Sequence, residues 1–177
     1  MDSGIIFLSR PYEGMKDAVM QYRSEHIDCG EHRIHGSCGL IHYDDFSEWL
    51  KNVREMEKIR DSEQYVPSDT YLAIRKKDNR LVGMIQLRHY LNDSLKVSGG
   101  HIGYGIRPSE RGNGYSIMQL NLVLNEARKL NITEVMITCG KKNITSVKTA
   151  VRCGAVFAKE FHDESINETI QQYWIKL

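Results

Sequence analysis

The order of strand-like and helix-like segments constrains the fold of this chain more than any single residue does. Short apolar runs typical of strands lie at residues 5–10, 70–75, 81–90, 101–107, 134–139, 155–161 and 169–177. Apolar residues recur at helical spacing over residues 12–24, 45–59, 115–130 and 143–153. The order β-α-α-β-β-β-α-β-α-β-β predicts an α/β (α+β) fold in which a mixed sheet carries helices on both faces.

Length and charge narrow the class of protein. The chain has 177 residues, which favours a single domain over residues 1–177. Its formal net charge of +1 disfavours a general nucleic-acid coat or a polybasic membrane binder. No apolar run approaches the roughly 18 residues of a membrane span, and the N-terminus lacks the basic start of an export signal. We therefore expect a cytoplasmic protein without nucleic-acid or membrane partners, with its cysteines reduced.

A glycine-containing loop joins the strand at 101–107 to the helix at 115–130. Gly112 and Gly114 lack side chains, so backbone N–H groups there can lie against a ligand. The following helix carries partial positive charge at its N-terminus, and Arg111 adds a permanent charge. Together these features predict a phosphate or pyrophosphate site. The alternative is a simple glycine turn, because short glycine patterns are weakly specific.

The same segment resembles a known family. Residues 101–108, HIGYGIRP, and residues 111–116, RGNGYS, resemble the acetyl-CoA signature of the GNAT N-acetyltransferase superfamily, Arg/Gln-x-x-Gly-x-Gly/Ala. The signature matches at Arg111 and Gly114, with Ser116 at its small last position. Residues 143–146, NITS, and 154–157, GAVF, resemble the start and close of the family's next helix. The resemblance covers nearly the whole chain and is strongest over residues 99–157.

This resemblance implies a mostly antiparallel central sheet in which strands 4 and 5, at 101–107 and 134–139, splay apart around acetyl-CoA. The N–H groups of residues 112–116 would hold the pyrophosphate, and the backbone before them would hold the pantetheine arm. The residues to which it gives cofactor contacts are Ile106, Arg107, Arg111, Gly112, Asn113, Gly114, Tyr115, Ser116 and Asn143. Acetyl-CoA would be a co-substrate, and no metal is expected.

Two residues are candidates for proton transfer. His101 aligns with a strand position where many family members carry a Glu base, and an ordinary His titrates near neutral pH. The family's usual Tyr acid is replaced by Ala150, so Ser146 is the candidate that would assist the leaving thiolate. Each residue also has a purely structural alternative: a strand His bonded to a neighbour, and a Ser in a first helical turn.

The resemblance implies an N-acetyltransferase in which a primary amine of a small molecule or peptide N-terminus attacks acetyl-CoA directly in a ternary complex. A homodimer is a further expectation. The absent Tyr at Ala150 leaves open an alternative of another class, a non-catalytic CoA or acyl-CoA binding module.

The segment 25–43 is polar and rich in His and Gly, which predicts a loop, and the resemblance implies that this loop forms one wall of the acceptor pocket. His26, Cys29, His32, His35 and Cys38 recur every third residue, but this is not a common zinc spacing. A zinc-dependent interaction module is therefore a minor alternative. On the third strand, alternation puts Gln86 and Arg88 on one face and His89 on the other, so at most one set can line the acceptor pocket.

Overall fold

The computed structural model describes residues 4–59 and 65–177. The predicted domain over residues 1–177 therefore includes residues 1–3 and 60–64, which lie outside the described residues. Single-domain organisation stays a prediction. In the described part of the chain, no helix combines the length and the apolar character needed to cross a bilayer.

Seven strands and five α-helices follow one another in the described residues, close to the predicted order. The strands are β1 (Ile6–Ser9), β2 (Ser68–Arg75), β3 (Arg80–Arg88), β4 (Ile102–Ile106), β5 (Glu134–Gly140), β6 (Val156–Asp163) and β7 (Glu168–Lys176). The helices are α1 (Lys16–Asp28), α2 (Phe46–Lys58), α3 (Asp93–Val97), α4 (Tyr115–Lys129) and α5 (Ile144–Arg152).

The strands form two antiparallel sheets, in the orders β1-β2-β3-β4 and β5-β7-β6. β4 and β5 are neighbours that share no ladder in the described chain. They meet just before β4 begins, where the N–H of His101 donates to the carbonyl of Met136 at 2.8 Å. Beyond this contact the strands diverge, so the prediction of a mostly antiparallel sheet with strands 4 and 5 splayed is confirmed.

Helices cover both faces of the first sheet, as predicted, because successive side chains of a strand point to opposite faces. On β2, Leu72 packs with Tyr22 of α1 and Trp49 of α2. The neighbouring Tyr71 packs with Leu120 of α4 on the other face. The layer under α4 continues into the second sheet and joins the two sheets through one core.

Two local elements differ from the prediction. Helix α1 continues to Asp28, four residues beyond the predicted end, because Tyr22 and His26 bury a further turn against the sheet. The segment before β4 contains the short helix α3, whose start is capped by Asn92 Oδ1 accepting the N–H of Leu95 at 3.0 Å. Both elements depend on contacts that could not be predicted from the polar sequence of these segments.

Helix α5 buries a different face from the one its apolar residues suggest. With Asn143 as cap, Ile144, Val147 and Val151 would be expected inside, yet Ile144 and Val151 are exposed. The fully buried positions are Thr149 and Ala150, which lie close against α4 and β5. Small residues at these positions let the helix approach the site described below.

Candidate active site

The loop before α4 has the geometry of an anion site. Gly112 and Gly114 adopt left-handed φ values of 81° and 77°, which glycine reaches without steric cost. In the described part of the chain, the backbone N–H groups of residues 112–116 donate to no protein acceptor. These N–H groups lie at the positive end of a 15-residue helix. The residues present therefore fit a pyrophosphate.

Arg111 lies at the rim of this loop with half of its side chain exposed. Its Nη2 donates to Glu31 Oε1 at 2.6 Å, and its Nε donates to the carbonyl of Ile106 at 3.2 Å. The Glu31 carboxylate also accepts a hydrogen bond from Nδ1 of the buried His26, at 2.7 Å. A phosphate that binds Arg111 would therefore compete with the Glu31 carboxylate for the Arg111 guanidinium, or share that guanidinium with it.

The other side chains of the loop brace it from behind. Asn113 Nδ2 donates to a backbone carbonyl of the preceding turn at 3.1 Å. The Ser116 hydroxyl lies 3.1 Å from the hydroxyl of Thr149 on α5. The Tyr115 hydroxyl accepts from Arg75 Nη1 at 3.2 Å. The Tyr115 and Ser116 side chains contact other parts of the protein, and the exposed Asn113 side chain bonds back to its own turn. The contribution of these three residues to a ligand would therefore come from their backbone.

Ile106 and Arg107 differ in what they offer a pantetheine arm. The N–H of Arg107 donates to the carbonyl of Val82 and its carbonyl accepts from Glu110, both at 2.9 Å. Its guanidinium is buried over the ring of Tyr22. Because N–H directions alternate along an antiparallel strand, the Ile106 N–H points away from β3, toward the gap. The geometry favours Ile106 over Arg107 as the donor.

A cavity of about 580 Å³ opens between β4, β5 and the segment 33–42. Its polar lining includes Arg33, His35, Gln86, Arg88, Tyr104, Thr138, Asn143, Ser146 and Glu168. Of the two alternatives for the third strand, Gln86 and Arg88 face this cavity, whereas His89 lies 3.2 Å from Asp69 on another face.

The segment 33–42 approaches the sheet closely because glycines line the contact. Gly36 has a left-handed φ of 73°. A Cβ added to it would lie 2.5 Å from the carbonyl oxygen of Gly103 and 2.7 Å from that of Met84. Only glycine therefore allows this segment to lie on β3 and β4 and form the wall of the cavity.

Ser146 lies in a chain of hydroxyl and thiol groups at the cavity wall. Asn143 Oδ1 caps α5 by accepting the Ser146 N–H at 3.1 Å. The Ser146 Oγ lies 2.9 Å from the hydroxyl of Tyr104 and 3.1 Å from Cys139 Sγ. Burial raises the pKa of the Tyr104 phenol and that of the Cys139 thiol, so both keep their protons at neutral pH.

Tyr104 was not among the residues singled out from the sequence. The family's hydroxyl is expected on the helix at Ala150, but here a phenol from β4 reaches Ser146 across the gap. Nothing in the sequence of β4 alone indicates that partner. The raised thiol pKa and the absence of a neighbouring base among the described residues also disfavour an acyl-cysteine at Cys139.

His101 lies beneath the cavity and does not line it. The side chain is buried, and its Nδ1 accepts the N–H of Met136 at 2.9 Å. Burial, aided by the charge of Arg88, lowers the pKa of His101 to about 4. The ring is therefore neutral with its Nδ1 lone pair occupied, so this geometry disfavours the expected base role. That role stays a prediction, and the contacts indicate a clamp between β4 and β5.

Glu168 is a cavity residue that the sequence did not indicate. Its carboxylate packs over Gly140, at the end of the cavity near Asn143 and Ser146. No ion pair joins it to a Lys, Arg or His among the described residues. It reaches the site only because β7 pairs with β5 and sets Ile170 opposite Gly140.

The His and Cys residues of the segment 25–43 do not converge. Among the described residues, no group of three or more His, Cys, Asp or Glu side chains is placed to hold a metal ion. His26 bonds Glu31, Cys29 is exposed, and Cys38 lies 3.3 Å from Asn52 Nδ2. The zinc hypothesis finds no support in this arrangement.

Comparison with known proteins identifies the class to which this fold and site belong. A family model described as an acetyltransferase (GNAT) domain matches residues 40–156, more than half of the chain. The chain therefore belongs to the GNAT acetyltransferase family, and it is an N-acetyltransferase by class. No curated protein sequence matches it significantly.

Similar solved structures share the fold at low sequence identity. RimL, a ribosomal L7/L12 α-N-protein acetyltransferase in complex with coenzyme A, has a TM-score of 0.72 at 16% identity, covering 99% of this chain and 96% of that one. The microcin C7 self-immunity acetyltransferase MccE, in complex with acetyl-CoA and AMP, has 0.72 at 14%, covering 100% and 98%. A dodecameric spermidine N-acetyltransferase from Vibrio cholerae has 0.65 at 15%, covering 97% and 94%.

Proposed function

We propose that this chain transfers the acetyl group of acetyl-CoA to the primary amine of a small molecule or a peptide N-terminus, by direct attack in a ternary complex. The observation that carries the proposal is the row of N–H groups at residues 112–116, free within the described chain, beside a cavity that contains Ser146 and Glu168. One part fits the cofactor phosphates and the other fits an amine. The CoA complexes of RimL and MccE support the choice of co-substrate.

The main contribution of the chain would be to position the two substrates and to supply hydrogen-bond donors. The Ile106 N–H faces the gap, where it can contact the pantetheine arm or polarise the thioester carbonyl. Asn143, at the start of α5, follows β5 on the opposite side of the gap and offers its side-chain Nδ2, because its Oδ1 already accepts the Ser146 N–H. Residues 112–116 and Arg111 would hold the pyrophosphate.

The reaction also needs one proton removed and one supplied. As the amine nitrogen bonds to the acetyl carbon and the carbon–sulfur bond breaks, the Ser146 hydroxyl would donate toward the sulfur. The Tyr104 phenol, 2.9 Å from Ser146 Oγ, would support that donation. The carboxylate of Glu168 would bind the ammonium form of the acceptor and take its proton, directly or through one water. His101 is the alternative acceptor for that proton.

The first test is a thermal shift with acetyl-CoA, CoA and NAD in parallel. A ligand that binds only the folded state at ~100 times its Kd stabilises by about 2.7 kcal/mol, which moves the midpoint by roughly 5–11 °C at roughly 2–4 °C per kcal/mol. We expect a shift with both CoA species and none with NAD. No shift with either CoA species at millimolar concentration would refute the cofactor site.

The second test is transfer itself, followed as free CoA thiol released from acetyl-CoA with a panel of amines. Turnover with at least one amine supports the enzyme, and Ser146→Ala should reduce it. Binding of CoA with no turnover over a broad panel would favour the alternative, a non-catalytic CoA-binding module. A homodimer stays a prediction that sedimentation velocity can test.

A further inference from the structure

Arg88 lies at the acceptor cavity without a counter-ion. Its Nη1 donates to the carbonyls of Gly99 and Gly100, at 3.2 and 2.9 Å. Within the described residues, no carboxylate forms an ion pair with this guanidinium, and its Nε and Nη2 donate to no protein acceptor. Neither nitrogen is sealed from solvent, so both remain available at the cavity.

This arrangement is unusual for a half-buried cation. Removing a charge from water costs free energy unless an opposite charge or several hydrogen bonds compensate it. Arg88 has only two carbonyl partners, and Arg33, a second cation, lines the same wall. The two positive charges repel each other, and an anion placed between them would compensate both charges.

The opposite end of the cavity carries the negative charge. Glu168 packs over Gly140, whereas the loop held by Arg88 contacts β5 at Thr138, where the Gly99 N–H donates to Thr138 Oγ1 at 3.2 Å. Thr138 and Gly140 are two residues apart, which corresponds to about 7 Å along a strand. The cavity therefore has an acidic end beside Ser146 and a basic end at the Gly99–Gly100 loop, and the two β5 residues that these ends contact lie about 7 Å apart.

We propose that the acceptor of this enzyme carries a carboxylate, which Arg88 binds while Glu168 holds the amine near Ser146. This proposal rests on the proposed acetyl transfer and names its substrate class: an amino acid or an acidic peptide N-terminus rather than a polyamine. A polyamine would bring a second positive charge to the basic end, where Arg88 and Arg33 would repel it.

The test uses matched acceptors that differ by one negative charge. The pairs are alanine with alaninamide, Asp-Ala-Ala-amide with Asn-Ala-Ala-amide, and Ala-Glu-Ala-amide with Ala-Gln-Ala-amide. The first pair tests a free amino acid, and the others test acidic peptides. For each acceptor, and for spermidine, kcat/KM is measured by CoA release, and Kd is measured by calorimetry in the presence of CoA.

We expect wild type to favour the charged member of at least one pair by about tenfold or more, the range of one charge-assisted hydrogen bond. Spermidine should be among the poorest acceptors. Arg88→Gln should remove the preference by weakening the charged member alone, while Arg88→Lys should keep part of it. The control Arg128→Gln removes the same charge from the exposed surface of α4 and should change neither ratio.

The outcomes separate this inference from the proposed function. A charge preference in Kd that Arg88→Gln removes, without turnover, would support the anion site and refute acetyl transfer. Turnover in which every pair differs by less than twofold, or in which spermidine is the best acceptor, would overturn the anion site and leave acetyl transfer standing. A preference that Arg88→Gln retains, with a normal CoA thermal shift, would also overturn it. If Arg88→Gln fails to fold, the wild-type ratios and Arg88→Lys decide.

Discussion

The buried imidazole of His101 makes the stability of this protein depend on pH. The folded-state pKa of His101 is lowered to about 4, while an unfolded chain has an ordinary His pKa of about 6.5. Between these values the unfolded chain binds a proton that the folded protein does not. The free energy of unfolding is therefore highest above pH 6.5 and decreases as the pH falls toward 4. Linkage gives a loss of about 2 kcal/mol by pH 5 and about 3 kcal/mol by pH 4.

The substitution that isolates this effect is His101→Asn, because an Asn side-chain oxygen can still accept the N–H of Met136. Urea unfolding from pH 7 to pH 4 gives the free energy of unfolding of each variant. Other titrating groups are shared and cancel in the difference. We expect wild type to lose about 2 kcal/mol more than the variant between pH 7 and pH 5. His162→Asn, at an exposed position on β6, is the control and should behave as wild type.

The same variant bears on catalysis. If His101 is a clamp, His101→Asn should keep kcat within a few-fold and leave its pH profile unchanged. A kcat loss of two to four orders of magnitude, the usual contribution of a general base, would restore His101 as the base. For stability, equal losses of unfolding free energy in wild type and His101→Asn between pH 7 and pH 5 would refute the reasoning from burial.

Five further substitutions, at three places in the structure, test the site and its wall. Ser146→Ala should lower kcat by about 10–100-fold, and Tyr104→Phe should lower it by less. If both hydroxyls act as one unit, the double variant should be no worse than Ser146→Ala, and additive losses would contradict this. Arg111→Gln should weaken CoA binding about tenfold, whereas Glu31→Gln should tighten CoA binding slightly because it releases Arg111. Equal CoA affinity in both variants would rule out the contact between Arg111 and a phosphate. Gly36→Ala should lower the free energy of unfolding by about 1–3 kcal/mol or more, because the φ of residue 36 is strained for alanine and the added Cβ would collide with backbone. An unchanged midpoint of urea unfolding would contradict the close packing.

Much of the fold followed from short-range sequence patterns. Hydrophobic periodicity placed every strand and four of the helices, because burial of one face leaves the same repeat wherever the element sits. The loop at Gly112 and Gly114 and the cap at Asn143 were also predictable, since left-handed backbone and helix capping depend on a residue and its near neighbours. The family resemblance was confirmed over residues 40–156.

The chemistry inside the cavity depended on tertiary structure. Tyr104 reaches Ser146 across 42 residues of sequence, and Glu168 reaches Gly140 only through the register between β5 and β7. His101 looked like a base in the sequence, but burial and one hydrogen bond from Met136 changed its properties. Periodicity indicates where an element lies and, except in α5, which face it buries. The partner, protonation and exposure of a polar side chain are set by whichever distant strand packs beside it.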